Sequence, residues 1–268
     1  MKRAAAALLC LLAAAARAEE APRRIVSANL CADRLVLALA DRDRILSVSR
    51  FAADPNLSTV VDKAQGLVLN HAGAEEIAAM HPDLVIFGQY TQKASSDMLN
   101  SLGYPVYMLP HPRDLAAMRK TIRDLAVRLG VPERGDAMIA GIDARLAALP
   151  VHPPARAAFY EAGGWTSGKP SLADDLLRRL GAANIPAEAG VGSSGTLPLE
   201  TLVAAGPQLI IFETMAAGGE PVSLASQLLE HPALAERGVR RLDMPMKFWD
   251  CADEAIIDAA RLIDGALP

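Results

Sequence analysis

Flat, rigid side chains recur in the loops of this sequence. Phe51, Tyr90, Trp165 and Trp249 belong to a chain that is only 4% aromatic. Rings of this kind bury a large area at small entropic cost, which suits a broad, flat ligand. Core packing is the alternative for each of them, and for Phe51 it is the stronger one. Trp165 is the exception, set in the polar, glycine-rich AGGWTSGK. Around these rings Asn29, Cys31, His71, Glu213 and Met215 add oxygen, nitrogen and sulfur groups. Together the nine residues form a candidate non-covalent binding cleft, in which Tyr90 or His71 could reach a metal carried inside the ligand. His81, His111, His152 and His231 show no metal-binding spacing, and neither H-x-x-x-H nor C-x-x-C occurs. A bare transition-metal ion is therefore not the expected ligand.

Covalent catalysis finds no support. GGWTSG lacks the G-x-S-x-G spacing of a nucleophile elbow. GVGSSG, Gly190 to Gly195, resembles a phosphate-cradling loop but lacks the G-K-[ST] ending, and reads as a cleft-side loop. Neither a catalytic residue nor a resident cofactor is expected. Cys31 and Cys251 each fall near the start of a helix, where the dipole lowers thiol pKa. Two outcomes stay open for them: a disulfide across the cleft, or thiolates offered to the ligand.

The elements that must hold these residues are those of an α/β protein. Glu75–Tyr90 reads EEIAAMHPDLVIFGQY and Glu200–Met215 reads ETLVAAGPQLIIFETM, identical at six of sixteen aligned positions. In each copy a helix ends before a proline and a continuous apolar run follows, the pattern of a strand buried on both faces. RIVS (24–27) and Ile45–Val48 predict further strands, and Ala157–Tyr160 opens the second half. Leu115, Met118, Ile122, Leu125 and Leu129 predict an amphipathic helix closed by Gly130. Ser171 and Asp174 give an S-x-x-D helix start, and Ala173-Asp174-x-Leu176 echoes Ala32-Asp33-x-Leu35. Between the copies, Ile139, Ile142, Leu146 and Leu149 lie at helical spacing between Pro132 and Pro150. The expected layout is an N-terminal lobe (19–131), a connecting helix (132–150) and a C-terminal lobe (151–268), with the cleft at the carboxyl ends of the strands.

Residues 1–18, MKRAAAALLCLLAAAARA, have the basic start, apolar middle and small-residue end of a secretory signal peptide cleaved after Ala18. The run is shorter than the roughly 20 apolar residues a membrane anchor needs. Cys10 follows Leu-Leu rather than a small residue, so it is taken as part of the leader. The formal charge is −4, and becomes more negative once Lys2, Arg3 and Arg17 leave. An acidic surface argues against nucleic acid as a partner.

With those segments in view, the sequence resembles the helix-linked (class III) periplasmic solute-binding proteins of ABC importers, the group that carries vitamin B12, ferric siderophores and haem. The likeness rests on RIVSANLCADRLVLALADRDRILSVS, EEIAAMHPDLVIF, TSGKPSLADDLLRRLGAANI and LETLVAAGPQLIIF, in that order and spacing. It implies a monomeric periplasmic receptor that delivers a metal chelate to a membrane permease. In that family one glutamate per lobe docks onto permease arginines, and the matching positions are Glu75 and Glu200. An acidic residue favoured at a helix N-terminus is the plainer account of both. The lack of an arginine cluster argues against catecholate siderophores, leaving ferric hydroxamates, corrinoids and haem. An exported ligand-sensing or protein-interaction module on the same fold is the alternative function.

Overall fold

The computed structural model describes residues 21–214, 231–235 and 238–268. The signal peptide (1–18) and the ligand role of Met215 lie outside the described residues. Strands β1 (Ile25–Ser27), β2 (Ile45–Ser49), β3 (Val68–Asn70), β4 (Leu84–Gly88) and β5 (Val106–Leu109) form one parallel sheet, ordered β3-β2-β1-β4-β5. A second parallel sheet takes β6 (Ala155–Phe159), β8 (Ala182–Asn184), β10 (Leu209–Thr214) and β11 (Arg240–Pro245) in the order β11-β10-β6-β8. Between β6 and β10 the two-residue strands β7 (Trp165–Thr166) and β9 (Gly195–Thr196) pair antiparallel.

Helices α1 (Leu30–Leu39), α2 (Val61–Ala64), α3 (Ala74–Ala79), α4 (Lys93–Ser101) and α5 (Leu115–Arg128) accompany the first sheet. Helices α7 (Leu172–Arg179), α8 (Ile185–Glu188), α9 (Leu199–Ala204), α10 (Met246–Trp249) and α11 (Ile256–Ala266) accompany the second. The repeated sequence is a repeated unit: α3 leads into β4 and α9 into β10, and all of LVIF and LIIF is buried. The central strands β1, β4, β6 and β10 are covered on both faces. Ile25, Leu84 and Ile86 point into a large core that also contains Ala157, Phe159, Leu209 and Ile211. Val26, Val85 and Phe87 point the other way, toward Ile77 and Leu99. Ala158, Ile210 and Phe212 do the same toward Leu202.

Helix α6 (Pro132–Ala147) joins the lobes, its 16 residues giving a rod of about 24 Å. It stops before Pro150, and Leu149 N–H bonds back to Leu146 O in a turn. Partly buried Leu149 packs on the core from that turn, which is why its spacing reads as helical. At one end Arg134 donates to Leu39 O (2.8 Å) and pairs with Asp41 (2.7 Å). At the other, Arg145 pairs with Glu254 at 2.9 Å and Arg179 donates to Leu146 O at 2.9 Å.

A second connection runs directly between the lobes. Cys31 in α1 is bonded to Cys251, a separation of 220 residues with Cα atoms 5.1 Å apart. Beside it Arg34, 1% exposed, pairs with Asp253 at 2.5 Å. Arg34 also donates to Lys247 O at 2.7 Å. An ion pair this dry survives because both members are bonded to each other and to backbone.

Candidate functional site

The loops at the carboxyl ends of both sheets face one another across a cavity of about 450 Å³. Tyr90, after β4, and His111 and Arg113, after β5, line it from the N-terminal lobe; Trp165, Glu213, Trp249 and Asp250 line it from the other. Gln89 ties the N-terminal loops together, its side-chain oxygen accepting His111 N–H at 3.0 Å. The rings of Tyr90 and His111 lie 6.1 Å apart, tilted by 59°. Tyr90 is 73% exposed, so packing does not account for it.

Trp165 is held by its backbone. Strand β7 pairs it with Thr196 of β9, leaving the indole half open to the cavity. Two glycines permit that arrangement. Gly164 has φ +79°, and a Cβ there would meet Leu197 O at 2.9 Å; one on Gly168 would meet Val191 O at 2.1 Å. Ser171 caps α7 by accepting from Asp174 N–H at 3.0 Å. Trp249 is anchored on the core, stacked on Phe159 at 4.2 Å, and exposes its remaining edge to the cleft.

The C-terminal wall is acidic. Asp250 is open to water in the cleft but has protein on most sides, and this desolvation raises its pKa, while hydrogen bonding with Glu213 and the charges of Arg34 and His111 lower it. Glu161, in the loop after β6, is raised by desolvation and then by the charge of Asp250.

Asn29, Phe51 and His71 line a different cavity of about 230 Å³ within the N-terminal lobe, bounded also by Arg50, Asn70 and Thr91. Asn29 caps α1, its Oδ1 accepting from Cys31 N–H at 3.0 Å and Ala32 N–H at 3.3 Å. That leaves its amide nitrogen facing Thr91 at 3.5 Å. Phe51 is 42% exposed and lies beneath Arg50, 4.8 Å from ring to guanidinium. His71 Nδ1 is 3.7 Å from Glu76 Oε2. Behind this cavity Asp33 is fully buried, accepting from Ser49 N–H at 3.0 Å. Desolvation pushes its pKa up to about 7, only partly offset by the Ser49 hydroxyl and N–H and the nearby Ser27 hydroxyl, and none of the groups acting on it is a cation. Cys31 has its sulfur in the disulfide, so it presents no thiolate to a ligand.

Of the nine expected ligand residues, the cleft thus gathers Tyr90, Trp165, Glu213 and Trp249. Glu75 and Glu200 lie elsewhere, both exposed in the first turns of α3 and α9. Capping falls to the neighbour of Glu75: Glu76 accepts from Gly73 N–H at 3.0 Å and His71 N–H at 2.5 Å. Among the described residues no three His, Cys, Asp or Glu side chains group as metal ligands. No helix among them is long and apolar enough to cross a membrane.

The family model described as "Periplasmic binding protein" matches residues 25–237. The chain belongs to the periplasmic binding protein family. The cobalamin-binding protein of Halobacterium salinarum is 24% identical over 200 residues, 71% of this chain and 53% of that protein. The chain thus spans about half the length of the curated relatives it matches. Among solved structures, the periplasmic heme-binding protein RhuT of Roseiflexus sp. RS-1 superposes with a TM-score of 0.71 at 23% identity, covering 91% of this chain and 98% of that one. The periplasmic vitamin B12 binding protein BtuF of Vibrio cholerae gives 0.62 at 19% identity, covering 91% and 96%. At such identities the likeness is one of fold: two α/β lobes about a linking helix.

Sequence reasoning missed several cleft residues of this periplasmic binding protein. His111 and Arg113 follow directly on the strand VYML, and Asp250 adjoins Trp249. Reading every loop that follows a parallel strand would have found them. Ser193 and Ser194 also line the cleft, in the GVGSSG segment read from the start as a cleft-side loop.

Proposed function

We propose that this protein is the exported receptor of an ABC importer, capturing a metal chelate and delivering it to the membrane permease without covalent chemistry. The observation that carries the reading is the cleft itself. Two tryptophans stand on one wall, while Tyr90, His111 and Arg113 face them across a space sized for part of a large ligand. A chelate with a broad apolar face lies against Trp165 and Trp249. For haem or another ferric cargo, the Tyr90 hydroxyl is the exposed oxygen donor; His71, in the separate cavity, is not positioned for that role. The chelate is cargo, and no resident cofactor is needed.

Glu75 and Glu200 serve as the permease contacts. Their equivalent places on α3 and α9 give each lobe one acidic point, matched to two related permease subunits. Such charges steer docking more than they add affinity. The signal peptide sends the chain to the periplasm, where it acts as a monomer.

Equilibrium dialysis against haemin, cobalamin and a ferric trihydroxamate tests the capture step, and uptake into proteoliposomes carrying the cognate permease tests delivery. One chelate is expected to be retained at one per chain. Glu75→Gln with Glu200→Gln should leave that retention unchanged and reduce uptake by about tenfold or more. Retention of none of the three chelates would overturn the reading.

A further inference from the structure

The two walls of the cleft are opposite in chemistry. From the N-terminal lobe come the Tyr90 hydroxyl, the His111 imidazole and the Arg113 guanidinium, all able to donate hydrogen bonds. The other wall presents Glu213 and Asp250, bonded to each other. Glu161 stands near enough behind them to feel the charge of Asp250. Arg34 lies near Asp250, but its guanidinium is already bonded to Asp253 at 2.5 Å and to Lys247 O at 2.7 Å.

Consider what each kind of chelate would meet on the acidic wall. Both carboxyl groups line the cavity, and carboxyl oxygens offer lone pairs as hydrogen-bond acceptors to whatever enters it. An amide or ammonium group there donates to those lone pairs. A cargo carboxylate adds another negative charge where water is partly excluded, and like charges so placed are strongly disfavoured. Arg113, on the opposite wall, is the place for an anionic arm.

We infer that this wall selects and orients the cargo: the chelate binds with amide or ammonium donors against Glu213 and Asp250, and any carboxylate it carries turned toward Arg113. The inference rests on the receptor reading above and adds the class of chelate it favours. Amide-fringed corrinoids and cationic ferric hydroxamates fit; chelates fringed with carboxylates on all sides do not.

Matched chelates test it on the unmodified protein. One pair is cobalamin and the derivative in which one peripheral amide is hydrolysed to a carboxylic acid. The other is a ferric trihydroxamate bearing a free ammonium arm and the same chelate with that arm succinylated. Haemin is titrated alongside. In at least one pair the amide or ammonium member should bind about tenfold or more tightly than its acidic partner. The double variant Glu213→Gln with Asp250→Asn should close that gap. Equal or tighter binding of the acidic members would overturn the inference, as would a gap that survives the double variant. Binding of haemin but of neither pair would overturn it too, while leaving the receptor reading in place. Binding of nothing would end both.

Discussion

In the N-terminal lobe the strand LVIF ends at Gly88; at the matching position in the C-terminal lobe LIIF is followed by Glu213. A Cβ on Gly88 would meet Asn29 Nδ2 at 2.7 Å, so that lobe has the side chain that caps α1 where the other sends a carboxylate into the cleft. The lobes agree where residues pack a strand between two layers and part company at its carboxyl end. The same split runs through the paired helices α1 and α7. Asp33 and Asp174 hold equivalent places and both are buried. Asp174 is matched by Arg178 at 2.9 Å, whereas Asp33 has only hydroxyl and backbone donors. A duplicated frame has kept its packing and let its polar positions diverge.

The largest expected effect comes from cutting the bond between the lobes. Cys31→Ser with Cys251→Ser releases a closure spanning 220 residues, for which chain entropy predicts a loss of about 5 kcal/mol at most. Denaturant unfolding should show a lower midpoint, with the lobes beginning to unfold separately. An unchanged midpoint would mean that α6 and the Arg34–Asp253 pair suffice to make the lobes one unit.

Next in size is the buried aspartate without a cation. A carboxyl whose folded pKa of about 7 lies above its unfolded value near 4 is bound more tightly to its proton in the folded state. The sign follows: Asp33 costs nothing below about pH 4, and its cost grows as pH rises to about 7 and then levels. Asp33→Asn should therefore stabilise the protein relative to wild type at pH 8 by up to about 4 kcal/mol, and by little at pH 4. A difference in melting temperature that does not change with pH would contradict this. Asp174→Asn should act in the opposite direction and more weakly. It loses a pair whose arginine is 55% exposed, so about 1 kcal/mol is expected at pH 7.

Within the cleft, Trp165→Ala should weaken cargo binding by about tenfold, since the ring is held in place by β7 and β9 and has little else to do. The same exchange at Phe51, which belongs to the separate cavity, should change affinity by less than about twofold. Isothermal titration of both variants checks the contrast. A larger loss at Phe51 than at Trp165 would move the binding site into the N-terminal lobe.

Much of the frame was legible because apolar runs and prolines report on local structure: LVIF, LIIF, Pro132 and the S-x-x-D start at Ser171 all formed as read. Trp165 could be placed because its polar, glycine-rich setting offered little to pack it. Asn29 was harder, since an amide suited to a ligand is equally suited to a helix N-terminus, and the unpaired N–H groups of α1 claimed it. Phe51 and His71 depended on how the loops after β2 and β3 fold back within one lobe, which no spacing records. Least legible were relations across the lobes. Arg34 and Asp253 are 219 residues apart, and Asp250 meets His111 only once two sheets have been set face to face.

Trp165 and Trp249 are the only tryptophans in the chain, and both line the cleft. Tryptophan emission during titration with haemin, cobalamin and a ferric trihydroxamate, corrected for absorbance, therefore reports directly on whether a chelate enters between the lobes. Saturable quenching by one of them at one equivalent, retained through Trp249 in Trp165→Phe, is the predicted result. Emission that stays flat with all three, after correction, would contradict the account.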